Sequence, residues 1–148
     1  MAYKVLNNVQ LKDATGVSSL TTDMLVLVIN KNTKNDSSFM ELNKKSKNYL
    51  SKTIKSHVDQ TGSSILLPKI DGINAKHILL VKGLDKDAPT HKWLSLYQSI
   101  AQKGNQNKCK DISVMPGTVS PKGKDELWLI EMVSKTIESN VYILSLIH

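Results

Sequence analysis

The sequence predicts an α/β domain in which a largely parallel or mixed sheet is layered with helices. Three observations predict it. The apolar repeat keeps switching between the period of a strand and that of a helix along the 148 residues. MLVLVI, residues 24–29, is a continuous apolar run of the kind a strand shows when both of its faces are covered. Such runs alternate with segments whose apolar residues recur every three or four positions, which is the order a layered α/β domain requires.

In chain order, YKVLNNVQL is the first candidate strand and MLVLVIN the second and stronger one. A loop and a helix follow in NTKNDSSFMELNKKSKNYLSKTIKSHV. Ser38, with Glu41 three residues on, reads as a capping-box start. Phe39, Leu42, Tyr49, Leu50 and Ile54 then fall along one stripe, with Lys44, Lys47, Lys52 and Lys55 on the wet side. SSILLP and HILLVKGL are two more strands, joined through Pro68 and a turn at Asp71 and Gly72. Thr90 is placed to cap a helix carrying Trp93, Leu94, Tyr97, Ile100 and Ala101, which stops near Gly104. CKDISVMP is a further strand ended by Pro116. A loop, GTVSPKGK, leads into DELWLIEMVSKTIESN, where Leu127, Ile130, Val133 and Ile137 again recur at helical spacing.

The length suits one domain, residues 1–148, able to bury roughly two-thirds of the surface its unfolded chain exposes. The longest apolar runs are too short to span a bilayer, and MAYKVLNNVQLKD lacks the pattern of a secretory signal. The expectation is a cytoplasmic, non-membrane protein. A single cysteine, Cys109, excludes an intramolecular disulfide and a cysteine-based zinc site, leaving a half-buried structural thiol as the favoured reading over a nucleophile. The net charge of +7 comes from twenty lysines and no arginine. Without the planar guanidinium fork, and with eleven asparagines, a solvated surface is favoured over a groove that reads nucleic acid.

Reactive constellations are equally sparse. His57, His77, His91 and His148 are scattered, with no pair at i, i+4, and His77 heads an apolar strand as an edge histidine would. Asp85 and Asp87 flank a turn of ordinary surface composition, while Asp125, Glu126 and Glu131 belong to the last helix. Ser63 and Ser64 precede a strand without the elbow a serine nucleophile needs. Gly83, in VKGLDKD, stands alone where a phosphate loop uses two or three glycines. Trp93 and Trp128 read as core or interface residues before base-stacking ones. No catalytic, cofactor-binding or metal-binding residue is assigned from spacing.

The order of these segments, TDMLVLVIN, ELNKKSKNYLSKTI, ILLP, KHILLVKGLDK, the helix with tryptophan and tyrosine, and KGKDELWLIEMVSKTIES, resembles the amino-terminal domain of the leucyl aminopeptidases, the cytosol aminopeptidase or M17 family. Leu42, Lys44, Tyr49 and Leu50 match the family's first helix. Leu79, Leu80, Val81, Gly83 and Leu84 look like its Leu-Leu-Val-Gly-Leu-Gly turn, with Lys82 as an extra residue and Asp85 in place of the second glycine. Tyr142 matches a family tyrosine past the last helix, whereas VYILSLIH is unlike the usual linker. The resemblance, over about residues 20 to 142, implies a three-layer α/β/α domain with a mixed sheet, similar to macro domains. It also implies that two divalent metals, zinc or manganese, and the catalytic machinery lie in a carboxyl-terminal domain that this chain lacks. The implied partners are that catalytic domain, sister subunits of a homo-hexamer and, for the parent enzyme, peptide substrates. On this reading Gly83 makes a corner and not a ligand cradle. The alternatives are a macro-like nucleotide-binding or lysine-mediated nucleic-acid-binding module and, more weakly, a hydrolase using Cys109 or Ser64.

Overall fold

A computed structural model describes residues 5–6, 9–12, 17–30, 36–61, 64–85, 87–115 and 143–147. The elements are β1 (Val5–Leu6), β2 (Val9–Lys12), a 3-10 turn (Val17–Ser19), β3 (Met24–Ile29), α1 (Ser37–Lys45), α2, β4 (Ile65–Leu67), β5 (His77–Lys82), α3 (Thr90–Gln106), β6 (Asp111–Met115) and β7 (Ile143–Ile147). Helix α2 starts as Tyr49–Thr53, passes through a π-helical turn over Ile54–Val58 and ends on Asp59–Thr61. The seven strands form one sheet in the order β1-β2-β7-β6-β3-β5-β4. The neighbours from β2 through β5 in that order are parallel, and the two outermost pairs are antiparallel, so the sheet is mixed, as expected.

Helices cover both faces. Met24, Val26 and Val28 of β3 and Leu79 and Val81 of β5 pack with Trp93, Tyr97, Ile100 and Ala101 of α3. The alternate residues Leu25, Leu27, Ile29, Ile78 and Leu80 pack with Phe39, Leu42, Leu50, Ile54 and Val58 of α1 and α2. A strand points successive side chains to opposite faces, so an unbroken apolar run serves both layers at once. This is the three-layer α/β/α arrangement.

Several local expectations are corrected. Within YKVLNNVQL the described residues form two short strands, Val5–Leu6 and the start of Val9–Lys12, with Leu6 paired to Val9. The cap of α1 is Asp36, whose Oδ1 accepts from the N–H groups of Ser38 and Phe39 at 3.0 and 3.1 Å, while Glu41 turns away to accept from the Ser18 N–H at 2.8 Å. The helix predicted to run on through Tyr49 breaks instead. Lys47 and Asn48 have φ of 56° and 67°, and the Asn43 carboxamide oxygen accepts from the Ser51 N–H at 3.1 Å. The break turns Tyr49 out of the stripe, to 45% exposure. Thr90 is not a cap; it is the first residue of α3, behind Pro89. That helix also runs past Gly104 to Gln106. Gly104 is there for closeness, since a Cβ would run into Cδ1 of Ile112. The tail, given no element from sequence, supplies β7 between β2 and β6. The predicted helix over 125–140, with Trp128, lies outside the described residues, as does Pro116.

A carboxylate clasp ties the amino ends of β3 and β6 together. Asp111 Oδ1 accepts from the Thr22 hydroxyl at 2.6 Å and from the Asp23 N–H at 2.8 Å. Asp23 reciprocates, accepting from the Lys110 N–H at 2.7 Å and pairing with Lys76 at 3.2 Å. The buried Ser113 hydroxyl donates to Thr22 Oγ1 at 3.1 Å. The Lys110 N–H, with help from Lys76, holds the Asp23 carboxyl below its ordinary value of 3.8 against the opposing effect of its partial burial.

Two outcomes follow. Gly104→Ala should destabilise the chain in urea titrations, because overpacking against Ile112, at about 1–3 kcal/mol, outweighs a helix-propensity gain of roughly 1 kcal/mol. Combination with Ile112→Val should cost less than the sum of the single changes. A carboxyl whose pKa is depressed on folding stabilises the fold above its unfolded pKa and loses that contribution as pH falls through the folded value. Stability should therefore decline from about pH 4 downward, and Asp23→Asn should lower stability at neutral pH while flattening that decline.

Candidate functional site

Because β3 and β5 are parallel, both deliver their carboxyl ends to the same edge of the sheet, the edge at which open α/β domains form crevices. There β5 ends in Lys82 and the chain turns through residues 83–89 into α3. The turn starts on a continued register, with the Gly83 N–H donating to the Ile29 carbonyl at 2.7 Å. A Cβ at Gly83 would stand 3.0 Å from Cγ1 of Val28 and 3.1 Å from the Ile29 oxygen, so glycine lets the backbone lie close against β3. The turn then tightens, with the Ala88 N–H donating to the Asp85 carbonyl at 2.9 Å.

This geometry leaves a cleft of about 540 Å³ lined by Lys82, Gly83, Leu84, Asp85, Asp87, Ala88 and Lys92. Leu84 and Ala88 are half-buried and rest on the α3-side core. Lys82, Asp85, Asp87 and Lys92 are exposed. The lining carries ammonium and carboxylate groups but no hydroxyl, thiol or imidazole side chain.

The other residues singled out from sequence do not join it. His57 lies in the π-turn of α2, and His77 opens β5 with Nδ1 3.3 Å from the Asp23 carbonyl oxygen. His91 is exposed on the first turn of α3. Among the described residues no three of His, Cys, Asp and Glu come together as a metal site. Cys109 is buried beside the α3-side core, and burial, reinforced by the negative charges of Asp23 and Asp111, pushes its thiol pKa up, away from the reactive thiolate. Trp93 is fully buried in the same core, and Ser64 is half-buried just before β4. Ser63, Asp125, Glu126, Glu131, Trp128, Tyr142 and His148 lie outside the described residues. Lys92 carries no signal in the sequence, because twenty similar residues stand along the chain, and Lys82 stands out there only as the extra residue of the glycine turn. The clasp partners Asp23 and Asp111 had one signal, a carboxylate immediately before or at the start of an apolar strand.

A family model described as the cytosol aminopeptidase family, N-terminal domain, matches residues 25–144. A probable cytosol aminopeptidase of Haemophilus influenzae (strain PittEE) is 26% identical over 127 residues, covering 84% of this chain and 26% of the relative. A cytosol aminopeptidase of a second H. influenzae strain is 24% identical over the same shares. The chain thus spans about a quarter of the length of these curated relatives. Among solved structures, tomato leucine aminopeptidase is similar at a TM-score of 0.63 and 20% identity, over 95% of this chain and 32% of that one. A Trypanosoma brucei macrodomain in complex with ADP reaches 0.70 at 14% identity, over 95% and 63%. An Oceanobacillus iheyensis macrodomain with MES bound reaches 0.66 at 12% identity, over 99% and 87%. At these identities the structural likeness speaks for the macro-like fold.

Burial of Cys109 sets one outcome. Its reaction with a disulfide reagent at neutral pH should be slower by orders of magnitude in the folded chain than in denaturant, and a fast native reaction would show an accessible thiol.

Proposed function

The chain belongs to the cytosol aminopeptidase family, whose N-terminal domain it matches, and from that premise we propose that it is a non-catalytic domain that frames a metal-dependent aminopeptidase and limits access to its active site. The match over residues 25–144 carries this reading. Among the described residues no three of His, Cys, Asp and Glu come together as a metal site. The described residues therefore offer no group fitted to the two divalent ions, zinc or manganese, of such an enzyme. On this reading the ions and the peptide substrate sit in a catalytic part outside it.

The domain's contribution is then mechanical. A sheet covered on both faces is a stiff body, and surface contacts decide what it joins. Met40 and Tyr49, exposed at 56% and 45%, are the large apolar side chains the described surface offers to a catalytic domain or to sister subunits of a hexamer. A cytoplasmic site of action accords with the absence, among the described residues, of a helix long and apolar enough to cross a membrane.

A second reading, a nucleotide-binding module, is favoured by one observation: the likeness to the ADP-bound macrodomain at a TM-score of 0.70. Binding through lysines to nucleic acid is a further version, and its affinity would fall steeply with salt.

The purified 148-residue chain should not hydrolyse leucine amides with or without manganese or zinc. Hydrolysis that rises with either metal and disappears with a chelator would overturn the non-catalytic reading. Saturable binding of ADP to the chain would favour the second.

A further inference from the structure

The cleft between β5 and α3 joins charges of both signs in one concavity, which neither reading above uses. Lys82 and Lys92 supply two ammonium groups, and Asp85 and Asp87 supply two carboxylates. Among the described residues the ion pair formed is Lys76 with Asp23, at the other end of the sheet, and none joins these four. All four side chains are exposed and face solvent from one concavity.

We propose that this cleft binds a small zwitterion, a free amino acid or a short peptide with both termini unblocked. Its volume, about 540 Å³, lies within the range of small-molecule sites. A ligand with a single sign of charge meets attraction and repulsion together: inorganic phosphate or a nucleoside diphosphate faces Asp85 and Asp87, and a simple amine faces Lys82 and Lys92. A dipolar ligand turns its carboxylate to the lysines and its ammonium to the aspartates, and meets no like charge. Repulsion of the wrong ligand thus contributes to selectivity as much as attraction of the right one. Leu84 and Ala88, backed by the core around Trp93, form the apolar wall for a side chain. Gly83 keeps the floor open by holding the backbone against β3. The four charges are exposed, so the interaction is weak, in the millimolar range, and fades as salt screens it.

The biological source of the ligand rests on the reading above, because an aminopeptidase releases free amino acids and shortened peptides, both zwitterions. Binding itself does not rest on that reading. The test is titration of the intact chain, followed by amide-resolved NMR at low salt, with leucine, leucinamide, N-acetylleucine and ADP as probes. Leucine should give saturable shifts at Gly83, Leu84 and Ala88. Leucinamide, which lacks the carboxylate, and N-acetylleucine, which lacks the ammonium, should each bind roughly tenfold more weakly or worse. Lys92→Gln should weaken leucine but strengthen leucinamide, which loses a like charge, and Asp87→Asn should weaken leucine but strengthen N-acetylleucine for the same reason. Both positions are exposed, so a thermal melt should show the fold intact. The proposal fails if leucine gives no saturable shifts, if either blocked form binds as well as leucine, or if ADP binds the cleft in preference to it. None of these outcomes bears on whether the chain hydrolyses leucine amides, so the two readings stand or fall separately.

Discussion

Every layer of this domain depends on the burial of one strand. β3 is hydrogen-bonded to β5 along one edge and to β6 along the other, and all six of its residues, Met24 to Ile29, are buried. A strand so placed has no edge or face left for water. Its backbone polar groups are satisfied by the ladder, and its side chains split between two cores that share no residue. Moving β3 by one residue would exchange those two sets of side chains, so the register of the whole sheet is locked by the shapes of the helices on either side.

The polar groups that remain are gathered at the ends of the sheet, where they do different work. At the amino ends Asp23 and Asp111 each accept hydrogen bonds from the other's strand, with Thr22 and Ser113 filling the space between. Charge-assisted bonds of this kind are the stronger ones, and they are spent here on holding β6 to β3. At the carboxyl ends the charges of Lys82, Asp85, Asp87 and Lys92 stand in solvent around a cleft. One end is closed by hydrogen bonds between protein groups and the other is a set of solvated charges, so the first holds strands together and the second is where we propose that recognition occurs.

Close approach, and not freedom to turn, explains two of the glycines. Gly104 lies inside a regular helix and lets it settle onto Ile112, while Gly83 continues the β5 register beside Val28. Gly72 is the different case: with φ of 90° it serves the reversal between β4 and β5 for which Asp71 and Gly72 were read. The position of Gly104 in sequence looks like a helix end, because a contact glycine and a cap glycine are the same letter.

The sequence by itself determined the α/β class, the central strand and the lysine-coated faces of α1 and α2. Those follow from local apolar periodicity, which water imposes on a chain whatever its partners. It also carried enough of the family pattern for the resemblance to be stated, because the helix residues Leu42 and Leu50 and the strand residues Leu79 to Val81 are core positions with a fixed spacing. Tertiary structure alone decided the rest. The break at Lys47 and Asn48 depends on the Asn43 carboxamide meeting Ser51, the insertion of β7 between β2 and β6 joins residues far apart in the chain, and the cleft exists only where the parallel strands bring residues 82–92 to one edge. The β7 pairing is a non-local contact, and the break and the cleft rest on particular side-chain and backbone placements, for which apolar periodicity has no term.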